Sequence, residues 1–303
     1  MIQIQQNNLD QLAKKYYKLI EKYVQKKDTK YQLDEINCDL LHLFDKDLEQ
    51  IVTAKPSQMR DLIQKTPQGF SKNINQLKDL YGTFRDKWGA QLMEDLNLKV
   101  CPFCNREYIF RFEDRKQKKA RIIASLDHFY DKDRYPFLAI SFYNLIPSCS
   151  ICNSKFKHAK NFYELPHLHP YEDDFNKKAK FSHFLNDATD ENKHHAIFSK
   201  ERITLDLKPN DSQDIKTKNT IETFRLEDIY KEHKDIVLEL IQKAEIYNES
   251  YIDELFNRYE GTLFKSREDL LRLITCGYVT DEEINKRPLS KLIKDISEEL
   301  ELI

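Results

Sequence analysis

Two Cys-x2-Cys pairs, Cys101-Pro-Phe-Cys104 and Cys149-Ser-Ile-Cys152, stand 44 residues apart in a chain of 303. Each pair can deliver two thiolates from one tight turn, and two such turns complete the tetrahedral shell that zinc prefers. The separation exceeds that of an ordinary zinc finger, so a folded segment must occupy the gap and bring the halves together; a β-hairpin does this economically. Four cysteine ligands leave no open coordination position, which makes the expected Zn²⁺ structural. A redox role for one pair is the competing reading. The remaining two cysteines, Cys38 and Cys276, fall in helical patterns and read as small buried hydrophobes.

Only five glycines occur in the whole chain. Sandwiches, barrels and glycine-turn-rich α/β folds need many positive-φ positions, so helix should dominate. Hydrophobic residues at 40% and charged residues at 33% exclude a disordered chain. No basic region followed by an apolar stretch opens the sequence, and no run approaches twenty apolar residues, which predicts a cytoplasmic protein with no membrane association.

Apolar residues at three- and four-residue spacing predict helices over 9–26, about Leu33 to Val52, and about Ile74 to Leu96, the last with Leu77, Tyr81, Phe84 and Trp88 on one face. The pattern changes at Val100. Short β-rich runs, Glu107–Phe112 and Arg121–Leu126, flank a polar stretch and read as strand, loop, strand. A short helix is expected between Cys149 and Lys160, and irregular chain over 161–200. Helix resumes at about Leu226, first as one stretch to Ile241, then at 249–260, 266–275 and 280–301. The fold class is therefore α+β, predominantly helical, in three parts: an N-terminal helical domain over 1–98, a small central module over 99–185 and a mainly helical domain over 186–303.

The residues between the cysteine pairs carry chemistry. Leu126-Asp127-His128-Phe129 supplies a carboxylate and an imidazole, Asn144 precedes Leu-Ile-Pro-Ser-Cys149, and Asn153 follows Cys152. Hydrolysis of a phosphodiester near neutral pH needs a base for water and a divalent cation that neutralises developing charge. Asp127 and Asn153 offer hard oxygen donors suited to Mg²⁺ or Mn²⁺. His128, expected on the opposite side of an extended strand, can accept a proton while its second ring nitrogen bonds a backbone carbonyl. An isolated Asp-His dipeptide is ordinarily a turn or surface pair, and the lesser reading of Asn153 is a polar residue at a helix N-terminus. Residues 96–160 hold 13 Lys and Arg against 6 Asp and Glu, a net of +7 that leaves −9 for the rest. Such a concentration suits a polyanion, although a run like Arg115–Lys119 is also consistent with a solvated hairpin.

These short elements resemble, in order, the HNH or ββα-metal endonucleases that carry a zinc knuckle: Leu126–Phe129 is similar to the first strand, Asn144–Cys149 to the second, and Cys149–Asn153 to the start of the metal-binding helix. The resemblance covers about residues 100–160. It implies His128 as general base, Asp127 and Asn153 as ligands of the catalytic ion, and Asn144 as the residue orienting the loop that holds the base. Many members carry Lys-Gly three residues after the last motif Asn, where this chain has Phe156 flanked by Lys155 and Lys157. Lys155, Lys157 and His158 are the candidates for phosphate contact. A looser resemblance to HNH proteins of bacterial phage-defence systems of the Septu type implies a DNA endonuclease acting with an ATPase partner subunit. An RNase of the same fold and a non-catalytic zinc module that binds nucleic acid remain open. The group His167, His169, Asp173 and Asp174 reads as an ordinary loop.

Overall fold

The computed structural model describes residues 2–26, 30–116, 118–186 and 199–303. His194 and His195, read as solvated from sequence, lie outside them. The fold is α+β, about 51% helical with small antiparallel sheets. Among the described residues no helix is long and apolar enough to cross a membrane. The chain divides into two compact units, one of Gln3–Leu98 with Ile109–Asp173, the other of Met1–Ile2, Lys99–Tyr108 and Asp174–Ile303.

In the first unit, α1 (Leu9–Val24), α2 (Leu33–Phe44), α3 (Leu48–Val52), α4 (Pro56–Gln64) and α5 (Lys72–Asp95) precede two hairpins. The single helix expected over 33–52 is two. Asp45 adopts φ 54°, and Asp47 starts α3 with a capping box: its carboxylate accepts from Gln50 N at 2.9 Å while Gln50 Oε1 accepts from Asp47 N at 3.1 Å. The helical pattern predicted over 33–52 ends shortly before Pro56. That proline stands at the first turn of α4, where a missing N–H costs no helical bond. The core gathers on Tyr16, whose ring lies 5.6 Å from Phe84 and 5.9 Å from Phe142. Strands β1 (Phe110–Asp114) and β2 (Lys119–Ile123) pair antiparallel, as do β3 (Ser125–His128) and β4 (Leu145–Ser148).

In the second unit, α6 (Phe175–Lys178) leads into β5 (Ala179–Leu185), which pairs antiparallel with β6 (Ile203–Pro209). The first strand of this hairpin lies where irregular chain was expected over 161–200. The alternation Ile203, Leu205, Leu207 buries one face, and Phe181 meets it from β5. Six helices follow: α7 (Ile215–Thr223), α8 (Leu226–Lys231), α9 (Lys234–Ile246), α10 (Glu249–Tyr259), α11 (Arg267–Thr275) and α12 (Ser290–Glu299). The helix expected over 226–241 breaks where the His233 ring accepts a hydrogen bond from Arg106 Nε at 2.8 Å. The one expected over 280–301 begins only at Ser290. Lys291 and Asp295, one turn apart on α12, form a buried ion pair, and Asp295 also accepts from Phe181 N at 2.8 Å. Cys38 and Cys276 are exposed, contrary to the buried role expected of them, because each occupies the solvent side of its helix or helix end.

Candidate active site

Strands β3 and β4 place Asp127 opposite Ile146 and His128 opposite Leu145. Residues 129–144 cross between the strands, and Asn144 fixes this loop from within: Oδ1 accepts from Tyr130 N at 2.7 Å, and Nδ2 donates to Tyr130 O and Leu138 O at 3.0 Å each. Three of the four hydrogen-bonding positions of this buried amide are thereby used, which is how such a side chain becomes a rigid post. Ser141 Oγ donates to Ile51 O at 2.8 Å and ties the same loop to α3. After β4 the chain winds as a π-helix over Ile151–Lys157, with His158 N donating to Asn153 O at 2.9 Å. The order strand, strand, helix results, with a wider helical turn than expected.

Asp127, His128 and Asn153 line one cavity of about 540 Å³, together with Tyr81, Asp131 and Lys132 among others. The carboxylate of Asp127 is 5% exposed. Its Oδ1 receives Lys157 Nζ at 3.2 Å, while Oδ2 is buried with no hydrogen-bond partner among the described residues. Burial pushes its acid dissociation up to about 6, partly offset by the Lys157 ammonium. An orphaned, desolvated carboxylate oxygen, on a residue that lines a cavity with an asparagine, is part of a donor set that fits a hard divalent cation. Were Mg²⁺ or Mn²⁺ bound, Asp127 and Asn153 would be the residues to hold it.

His128 also lines this cavity. It is the last residue of β3, paired with Leu145 of β4. Its Nε2–H donates to Ala139 O at 2.8 Å. The Tyr81 ring stands edge-on at 4.2 Å, and Tyr81 Oη donates to Leu126 O at 2.6 Å, so the imidazole is held between α5 and the loop. Burial pushes the ring down to about 3, which keeps it neutral at pH 7. With Nε2 protonated and committed to the carbonyl, the free lone pair is on Nδ1.

Lys157 departs most from the phosphate-contact role. Its side chain is 3% exposed, and Nζ donates to His128 O at 2.7 Å as well as to Asp127. The wide turn ending at Lys157 carries it under β3, where it neutralises Asp127. Lys155 is exposed and does not line the cavity; His158 is exposed, lines it, and has φ 46°. Tyr81 was legible only as a member of the α5 apolar stripe, and nothing in its spacing marks it as a neighbour of His128. His167 stacks on Phe162 at 3.6 Å, and His169 lies 4.1 Å from Phe129 with its N–H on Asp173 Oδ2 at 2.9 Å. Neither histidine lines the cavity. Asp174 caps α6.

The cysteines Cys101, Cys104, Cys149 and Cys152 are all buried, and their Sγ atoms lie within 4.8 Å of one another. A zinc tetrahedron with bonds of ~2.3 Å requires sulfur separations of ~3.8 Å, so the cluster is compatible with a structural ion at little adjustment. Backbone N–H groups already turn toward the sulfurs, Arg106 N to Cys104 Sγ at 3.5 Å and Cys152 N to Cys149 Sγ at 3.4 Å. Asn105 takes φ 51° directly after Cys104; asparagine tolerates this left-handed turn, and its buried amide donates to Ile284 O and accepts from Lys291 N. Comparison of the chain with protein-family models, with curated proteins and with solved structures finds no match.

Proposed function

We propose that the protein is a metal-dependent endonuclease of the HNH type, hydrolysing DNA phosphodiesters in the cavity under β3. One observation carries the reading: adjacent residues Asp127 and His128 open into the same cavity as Asn153, with a buried, unpartnered carboxylate oxygen on one and a fixed tautomer on the other. A bound divalent ion would supply charge neutralisation at the phosphate and the leaving oxygen. The chain's own residues do the rest. Ala139 O holds the His128 ring so that Nδ1 presents its lone pair, and Nδ1 takes the proton of the attacking water. The low basicity of the His128 ring rises when a phosphodiester brings negative charge beside it. Asn144 keeps the 129–144 loop, and with it Ala139 O, in place; Lys157 keeps Asp127 ionised. The four cysteines would hold a structural zinc, which would clamp the chain at both ends of this segment.

Purified protein with Mg²⁺ or Mn²⁺ should convert supercoiled plasmid to nicked or linear forms. His128→Ala should lower that rate about 10²–10⁴-fold without changing the far-ultraviolet spectrum or the melting temperature by more than a few degrees. An unchanged rate removes His128 from the role of base. Parallel incubation with RNA separates a DNase from an RNase, and salt-sensitive binding without cleavage under either metal would favour a zinc-stabilised binding module instead.

A further inference from the structure

The β1–β2 ribbon has two unlike faces. Its register sets Arg111 opposite Ile122 and Glu113 opposite Ala120 on one side, and Phe110 opposite Ile123 and Phe112 opposite Arg121 on the other. The first side is turned to α5: Ile122 Cδ1 lies 3.7 Å from the position a Cβ on Gly89 would take, and Arg111 reaches Glu94 at 4.0 Å. The second side is left to solvent. Phe110 is 41%, Phe112 37% and Ile123 52% exposed. Three large apolar side chains on one small outward face are costly to leave in water, and the two phenylalanines sit two residues apart on one strand, about 7 Å along it.

Charge selects what covers them. Residues 110–123 contain six Lys and Arg against two Asp and Glu, in a chain whose net charge is −2. Both acids are already engaged, Glu113 with Arg111 and Asp114 with Arg121 at 3.3 Å. Arg115, Lys116 and Lys118, at and beside the turn, are exposed and have no ion-pair partner among the described residues. A cationic tip beside exposed aromatic rings suits a polyanion with flat apolar faces, which is a nucleic acid with unpaired bases. An acidic protein would satisfy the lysines but would not account for rings spaced along one strand. The ribbon is also continuous with the site: a single residue, Ala124, separates β2 from β3, so Asp127 lies about 13 Å along the strand path from Ile123.

We propose that the outward face of the β1–β2 ribbon is a single-strand grip, on which Phe110 and Phe112 stack unpaired bases while Arg115, Lys116 and Lys118 hold the backbone, feeding the strand toward Asp127 and His128. The choice of nucleic acid rests on the phosphodiesterase reading; the surface itself does not.

The test separates the two. Binding of fluorescein-labelled oligothymidylate and of the matching duplex is followed by anisotropy with no added Mg²⁺ or Mn²⁺, and catalysis by hydrolysis of bis(p-nitrophenyl) phosphate, which needs the cavity alone. Phe110→Ala and Phe112→Ala should each weaken oligothymidylate binding about tenfold, whereas Phe112→Tyr should retain it. Arg115→Ser, Lys116→Ser and Lys118→Ser combined should make the slope of log affinity against log salt shallower by about 2. All of these variants should hydrolyse the small ester at the wild-type rate. Wild-type binding by Phe112→Ala overturns the proposal, as does tighter wild-type binding of duplex than of single strand, or a dimer in sedimentation that Phe112→Ala dissolves. Should wild type hydrolyse no phosphodiester while the ribbon variants still lose binding, the grip stands and the nuclease reading falls.

Discussion

At the scale of single residues, the pair Asp127 and Lys157 controls the site. Both side chains are nearly sealed from water, and a buried carboxylate survives ionised only with a partner. Lys157→Met should therefore cost about 3 kcal/mol in urea denaturation, since truncating one member strands the other charge. Asp127→Asn combined with Lys157→Met should recover most of that loss, because two neutral groups then fill the same space. A single-variant cost equal to the double would show that packing, and not charge, sets the effect. Sequence spacing identified Asp127 as acidic and near the cysteines, but it could not tell which of two flanking lysines turns inward. That choice depends on the pitch of the helix that follows β4, and the five-residue hydrogen bond from His158 N to Asn153 O has no signature in residue type. Asn144 was legible only through the family resemblance, which assigns it to the loop that holds His128.

At the scale of elements, strong periodicity translated well and boundaries did not. α1, α5 and α10 lie within a few residues of their apolar stripes. The break between α2 and α3 was written in Asp47 and Gln50, a capping box hidden inside a continuous apolar pattern, and α4, which Pro56 opens, has only nine residues to show a period. The β5–β6 ribbon was missed because its strands lie 17 residues apart around a polar stretch, where no two-residue turn announces a hairpin. α5 deserves a specific expectation, since it is the longest helix described and forms the wall behind His128. Gly82 lies within it, and a Cβ added there meets nothing within 4 Å. Gly82→Ala should raise unfolding free energy by about 0.5–1 kcal/mol through the entropy of the unfolded chain and helix propensity. The urea midpoint measures it; a fall would mean that α5 is not a straight helix at this point.

At the scale of the whole molecule, the cysteines matter most. Structural zinc contributes on the order of 10 kcal/mol in small sites, a large share of any folding free energy. Cys101→Ser should lower bound zinc below one ion per chain and lower the melting temperature together, read by atomic absorption and calorimetry. Retained zinc with a normal melting point would remove the clamp. The four-cysteine grouping was fully legible in the spacing, whereas the division into two compact units was not, because it is set by which faces pack and not by where composition changes. One short stretch of backbone has a double duty: the wide turn from Ile151 to Lys157 begins beside Cys152 and ends beneath Asp127. Lys157 lies five residues after Cys152, so whatever loosens the sulfur end of this turn also loosens the ammonium that neutralises Asp127 at the other.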